Sequence, residues 1–232
     1  MKRNILILSL LLFAGSTAMA FEPPRMHPTD RFILTLFTDL WQEVPQDIDL
    51  RAIQRGVGLT MMQDMPLGRS NFSIAAGLGF SGHNLYSDHV YAYDPVMDGY
   101  RFQPIIEDYD KNKISLNYLG VPVQFRYRSR NTPRTFRLYA GIQADYLVNA
   151  HTKFHGRAGP VLPIQQPWPT GRDIEIKEHS LDNLLSYRIG LNALVGYGSL
   201  NFHFGYTLTR IFEDNPAENM FPVSLGFSFI LF

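Results

Sequence analysis

The chain has 232 residues, with 21 Lys plus Arg against 21 Asp plus Glu and no cysteine. Charged residues make up 18% and aromatic ones 13%, including 17 Phe and 12 Tyr. This is too apolar and too evenly charged for a disordered chain, a charged coiled coil or a basic nucleic-acid binder, and it excludes a disulfide-stapled domain.

Residues 1–20 read as an export signal. Lys2 and Arg3 form a charged start, Ile5 to Ala14 an apolar stretch, and Ala18-Met19-Ala20 a small-x-small cleavage site. The apolar stretch is about half of the roughly 20 residues that a spanning helix needs. Removing Lys2 and Arg3 from the 21 basic residues leaves 19 against 21 acidic ones. Residues 21–30 then read as a periplasmic segment and residues 31–232 as one folded domain.

Eight segments alternate with period two, the mark of a strand with one apolar face. The first, residues 31–41, carries Asp39 but also places Ile33 and Phe37 on its otherwise polar face. In the second, Val57, Leu59 and Met61 alternate with Gly56, Gly58 and Thr60; in the third, Phe72, Ile74, Ala76, Leu78 and Phe80 alternate with Ser73, Gly77, Gly79 and Ser81. The fourth sets Leu119, Val121, Val123, Phe125 and Tyr127 against Gln124, Arg126 and Arg128. The fifth sets Phe136, Leu138, Ala140, Ile142, Ala144, Tyr146 and Val148 against Arg137, Gly141, Gln143, Asp145 and Asn149. Across a Gly198-Ser199 turn, the sixth and seventh oppose Tyr187 to Tyr197 and Leu200 to Leu208 against a polar face with Arg188, Asn192 and His203. The eighth, residues 221–231, alternates Phe and Leu with Ser224, Gly226 and Ser228.

Segments of about 11 to 16 residues exceed the usual globular strand and suffice to cross a bilayer. Links of about 9, 7, 30, 6, 31, 2 and 10 residues are longer at odd positions, as in barrels with short periplasmic turns and long external loops. Tyr127, Tyr146, Tyr187, Tyr197 and Tyr206 lie toward the ends of apolar faces, where a headgroup girdle forms. The expected fold is all-β: an eight-stranded antiparallel up-and-down transmembrane barrel, with both termini in the periplasm. Its lumen is lined by Asp39, Gln124, Arg126, Arg128, Arg137, Gln143, Asp145, Arg188 and His203. A narrow barrel cannot hydrate isolated charges, so these residues are expected to pair into a plug; the alternative is a gated ion path.

No motif specifies chemistry. Gly77-x-Gly79-x-x-Gly82 fits a dinucleotide fingerprint but lies in a strand without the helix that motif requires. His151 and His155 lie four apart without an acidic residue between them, and Asp108-x-Asp110-x-Asn112 lacks the glycine and distal glutamate of a calcium loop. His203, read as the one strand histidine, belongs to no assignable Ser-His-acid grouping. No catalytic group, cofactor or metal is expected. Specificity is expected in the external loops, where Tyr91, Tyr93, Tyr100, Phe102 and Tyr109, and Trp168 among Pro160, Pro163, Pro167 and Pro169, either anchor a partner or pack over the mouth.

The run Asn117-Tyr118-Leu119-Gly120-Val121-Pro122 resembles the N-Y-L-x-I-P strand of the PorT-like outer-membrane β-barrel proteins of Bacteroidota. The hairpin from Pro66 to Phe72 and the run from Tyr146 to Lys153 resemble them too, and the likeness extends from about Leu50 to Phe232. Gly120 replaces the acidic residue often found at that position. Phe232 matches the terminal aromatic that serves as an outer-membrane assembly signal. The resemblance implies an outer-membrane barrel that acts in structure or interaction, accessory to type IX-like protein secretion. A narrow porin-like channel is the alternative, and a lipid-modifying enzyme a weaker one. The expected partners are outer-membrane lipid, the barrel assembly machinery and secretion-complex subunits, with no nucleic acid; the expected state is a monomer.

Overall fold

A computed structural model describes residues 30–94, 98–105, 108–157, 173–179, 181, 183–213 and 219–231. The expected signal peptide, Trp168 and Phe232 lie outside these residues. Among the described residues eleven strands are formed: β1 (Phe32–Gln42), β2 (Arg55–Pro66), β3 (Phe72–Tyr86), β4 (His89–Asp94), β5 (Gly99–Pro104), β6 (Tyr109–Arg128), β7 (Phe136–Arg157), β8 (Asp173–Glu178), β9 (Tyr187–Tyr197), β10 (Leu200–Thr207) and β11 (Phe221–Leu231).

Eight of them close a barrel, because β6 pairs with β7 while β1 pairs with both β2 and β11. Every neighbouring pair is antiparallel, so the barrel leaves no free edge among its own strands, which is what a sheet in hydrocarbon requires. The turns at 67–71, 129–135 and 198–199 are short, and Gly198 adopts φ 63°, the left-handed value that a two-residue hairpin needs at its first position. The connections at the other end are longer, as expected.

The period-two pattern becomes an apolar exterior around a polar interior. Leu36 and Leu119 are each 50% exposed although apolar, which is the signature of a lipid-facing wall. Phe72 and Tyr127 lie 5.2 Å apart near the short-turn rim, and Phe136 sits opposite Tyr197 there. At the other rim Tyr146 faces Tyr187, and Tyr206 approaches Phe221 at 5.7 Å. Two aromatic girdles thus bound the wall. Ile33 and Phe37 do point inward. Phe37 is paired with Gly56 on one side and Gly226 on the other; the missing side chain at Gly56 makes room for its ring, and the one at Gly226 for the backbone of Leu36 and Phe37.

Three features depart from the sequence expectation. The connection of about 30 residues expected as an external loop after the third segment contains the β4–β5 hairpin and the start of β6. β6 and β7 continue well past the lipid-facing wall, and β8 pairs with the outer part of β7. A bulge at Val148, skipped between the pairs Asn117↔Asn149 and Tyr118↔Leu147, reverses the facing of β7 beyond it. Asn149 therefore points outward rather than into the lumen.

Candidate functional site

The interior is built of two charge clusters separated by a small cavity. Near the short turns, the Asp30 carboxylate accepts hydrogen bonds from Arg128 Nε (3.0 Å), from Arg137 Nε (2.9 Å) and Nη2 (3.2 Å), and from the Tyr139 hydroxyl. Asp64 accepts from Arg126 Nη1 (3.1 Å), Ser73 Oγ (3.3 Å) and Arg128 Nη2. Arg126 also donates from Nε and Nη2 to Gln124 Oε1, and Gln124 in turn donates to Asn192 Oδ1 at 2.7 Å. The remaining Arg137 nitrogen, Nη1, is held by the carbonyls of Pro133, Thr135 and Gly198 in the turns themselves. The Tyr139 ring lies 4.7 Å from the Arg126 guanidinium and 5.2 Å from that of Arg128. Arg126, Arg137 and Tyr139 are each 0% exposed. A charge so buried is stable only when paired and fully hydrogen-bonded, which this arrangement achieves.

Toward the long connections, Arg188 donates to Asp145 Oδ2 from Nε (2.9 Å) and Nη2 (2.6 Å) and packs over the Tyr118 ring at 4.1 Å. Its Nη1 lies 2.9 Å from His83 Nε2, while His83 Nδ1 lies 2.8 Å from Asp39 Oδ2. An arginine can only donate, so Nε2 is the acceptor and Nδ1 donates to the carboxylate. Ser224 Oγ donates to Asp39 Oδ1 at 2.5 Å, and Gln143 Nε2 to Asp145 Oδ1 at 2.6 Å. Across both clusters, Arg126, Arg128, Arg137 and Arg188 balance Asp30, Asp39, Asp64 and Asp145 in charge.

Between the clusters lies a cavity of about 90 Å³, lined in part by Thr35, Gly79, Asp145, Arg188 and Asn192, with room for several waters. His203 lines it too; its ring stands 6.1 Å from that of Phe37, and it makes no hydrogen bond among the described residues. Ser224, Asp39 and His83 bring the three residue types of a hydrolytic triad together, but the serine hydroxyl is bonded to the carboxylate rather than to the imidazole. The imidazole nitrogen that would activate it is taken by Arg188.

The opposite mouth is closed by apolar packing of Trp41, Leu85, Tyr91, Leu116, Tyr118 and Phe212. Tyr91, 1% exposed, lies 5.7 Å from Tyr100, 5.1 Å from Phe102 and 5.2 Å from Phe212. Of the expected loop aromatics, Tyr91 is thus a buried component of the cover rather than an exposed anchor. Tyr93 donates to Asp98, Tyr100 donates to Glu178 at 3.0 Å, and the Tyr109 ring lies tilted beside Phe154 at 6.4 Å. Of the motif residues, Tyr118 and Pro122 face inward, Leu119 faces lipid, and Asn117 donates outward to Asn149 at 3.3 Å.

Asp30, Asp64, Tyr139 and His83 escaped the sequence reading. Asp30 lies at the end of the presumed periplasmic segment, and Asp64 and His83 lie in strand extensions that alternation alone cut short, Asp64 toward the short turns and His83 toward the long connections. His203 is not the one strand histidine, since His83, His89, His151 and His155 are also in strands. His151 lies beside Asn149 and His179, whereas His155 pairs with Asp110, and no metal-ligating cluster occurs among the described residues. Asn112 donates to the carbonyls of Ser87 and His89, which ties the β4–β5 hairpin to β6.

A closed eight-stranded barrel with an apolar, girdled wall and a charge-paired interior defines a membrane-spanning β-barrel. The sequence model described as outer membrane protein beta-barrel domain matches residues 56–213, and the chain belongs to that family. No curated protein and no solved structure matches it.

Proposed function

We propose that this outer-membrane protein acts as a non-conducting scaffold whose extramembrane platform engages a partner, and that it is not an enzyme. The observation that carries the reading is the platform itself: β6, β7 and β8 rise beyond the wall and hold the β4–β5 hairpin over a mouth that is packed shut. Long structured connections on a rigid barrel are suited to binding. The resemblance of the Asn117 to Tyr127 strand to PorT-like proteins supports an accessory role in type IX-like secretion. A photo-crosslinking residue placed at Asp98 or Gln103 in living cells tests this. Discrete adducts with secretion-complex subunits, together with loss of secreted cargo when the gene is deleted, are expected. Adducts with lipid alone, and unchanged secretion, would sink it.

A narrow channel is the second reading, favoured by the 90 Å³ cavity between the two clusters. It requires both the arginine plug and the aromatic cover to move.

A further inference from the structure

Above the lipid-facing wall, the outward face of β6, β7 and β8 carries a row of like charges. Lys113 of β6 lies opposite Lys153 of β7, and Lys153 opposite Lys177 of β8. Directly opposed cations on one face destabilise a sheet, and only part of that cost is met by contacts within the fold. Lys153 is neutralised by Glu175 at 2.5 Å. Lys113 donates to the neutral Asn84 Oδ1 at 2.6 Å and lies 5.8 Å from the Tyr86 ring centroid, and among the described residues neither Lys113 nor Lys177 has a carboxylate partner. The other acids nearby are engaged elsewhere: Asp110 and Asp108 pair with His155 and Arg157 at the distal tip, and Glu178 accepts from Tyr100 on the opposite face. Burial and then Lys111, Lys153 and Lys177 hold the Lys113 ammonium below its usual range, and burial and then Lys177 and Lys113 do the same to His151. The local field is therefore positive where the sheet leaves the membrane.

The same outward face descends from Lys113 through Ser115 and Asn117 to Leu119, and from Lys153 through His151 and Asn149 to Val148 and Tyr146, which is 61% exposed. Charge, then hydrogen-bonding groups, then apolar wall is the order of a lipid read from headgroup to chain. At about 3.3 Å per residue along a strand tilted by roughly 40°, the lysines stand roughly 10–15 Å above the apolar boundary. A phospholipid headgroup layer is only about 5–8 Å deep. A taller headgroup, with sugars that lift the phosphate or display it at their edge, spans that gap.

We propose that Lys113 and Lys177, framed by Asn117, Asn149 and His151, form a docking surface for the phosphorylated sugar headgroup of an outer-leaflet glycolipid. The binding energy would come from charge complementarity to phosphate, with the acyl chains lying on the Leu119 and Tyr146 wall.

Native mass spectrometry of the full chain in detergent, titrated with lipid A as a bisphosphorylated disaccharide lipid, tests this. The K113Q/K177Q variant should bind at least about tenfold more weakly than wild type, and dephosphorylated lipid A should bind as weakly to wild type. R130Q/R134Q, an equal charge change at the short-turn rim, should bind normally. Heat-modifiable gel mobility checks that each variant folds. Equal binding by K113Q/K177Q, equal binding of the dephosphorylated lipid, or equal retention of phosphatidylglycerol would overturn the proposal. So would displacement by inorganic phosphate at matched concentration, which would point to a free anion.

Discussion

Gly120 of β6 lies directly opposite Asp145 of β7, and the aspartate carboxylate fills the space that a side chain at 120 would need: a Cβ there would stand 1.8 Å from Asp145 Oδ1. The neighbouring strand thus supplies the carboxylate that faces the lumen at this level. Gly120→Ala should push Asp145 off Arg188 and cost about 1–3 kcal/mol. The double change G120D/D145G, which moves the carboxylate to β6, should lose less than G120D alone. Urea midpoints of heat-modifiable gel mobility measure both.

The Asp30 carboxylate is shared by Arg128, Arg137 and Tyr139. Asp30→Asn leaves two buried guanidiniums short of charge and should cost about 3–5 kcal/mol, as for a buried pair broken on one side. Tyr139→Phe removes a single hydroxyl donor and should cost only about 1–2 kcal/mol. Equal losses on the same urea assay would mean that ring packing, not charge, holds this end.

Phe37 lies over Gly56, whose Cβ would meet the Phe37 ring at 2.0 Å, whereas a Cβ at Gly226 would meet the Leu36 carbonyl oxygen at 2.1 Å. A ring can be trimmed and a backbone cannot. G56A should therefore be rescued in part by F37A in a double-mutant cycle, with a coupling of about 1–2 kcal/mol, and G226A should not be. Coupling of similar size at both glycines would refute the distinction.

Much of the barrel was legible because one wall meets lipid and the other a polar lumen, which enforces period two. Arg126, Arg128, Arg137, Asp145 and Arg188 stood out on the polar face for that reason. Their partners did not. Asp64 follows Met62, an inward methionine that breaks the alternation, and Asp30 precedes the first strand altogether. β4 was hidden because Val90, Tyr91 and Ala92 are all buried, so neither face reads as polar. The Val148 bulge leaves no sequence mark, since adding one residue only shifts the phase of a pattern that is already weakening there.

The cover over the mouth depends on Tyr91 packed against Phe212 at 5.2 Å. Phe212→Ala should loosen the β4–β5 hairpin and speed external proteolysis within residues 87–108 of intact cells, while the barrel itself stays heat-modifiable. Unchanged protection would show that the hairpin is held by Asn112 and its backbone bonds alone.

The proposal that the lumen is sealed is tested most directly by single-channel recording of the purified protein in planar bilayers. Wild type should give no conductance steps, and D30N combined with F212A, which loosens both ends, should give them. Stable steps from the wild type, abolished by charge changes at Arg126 and Arg137, would contradict the plug and favour a channel.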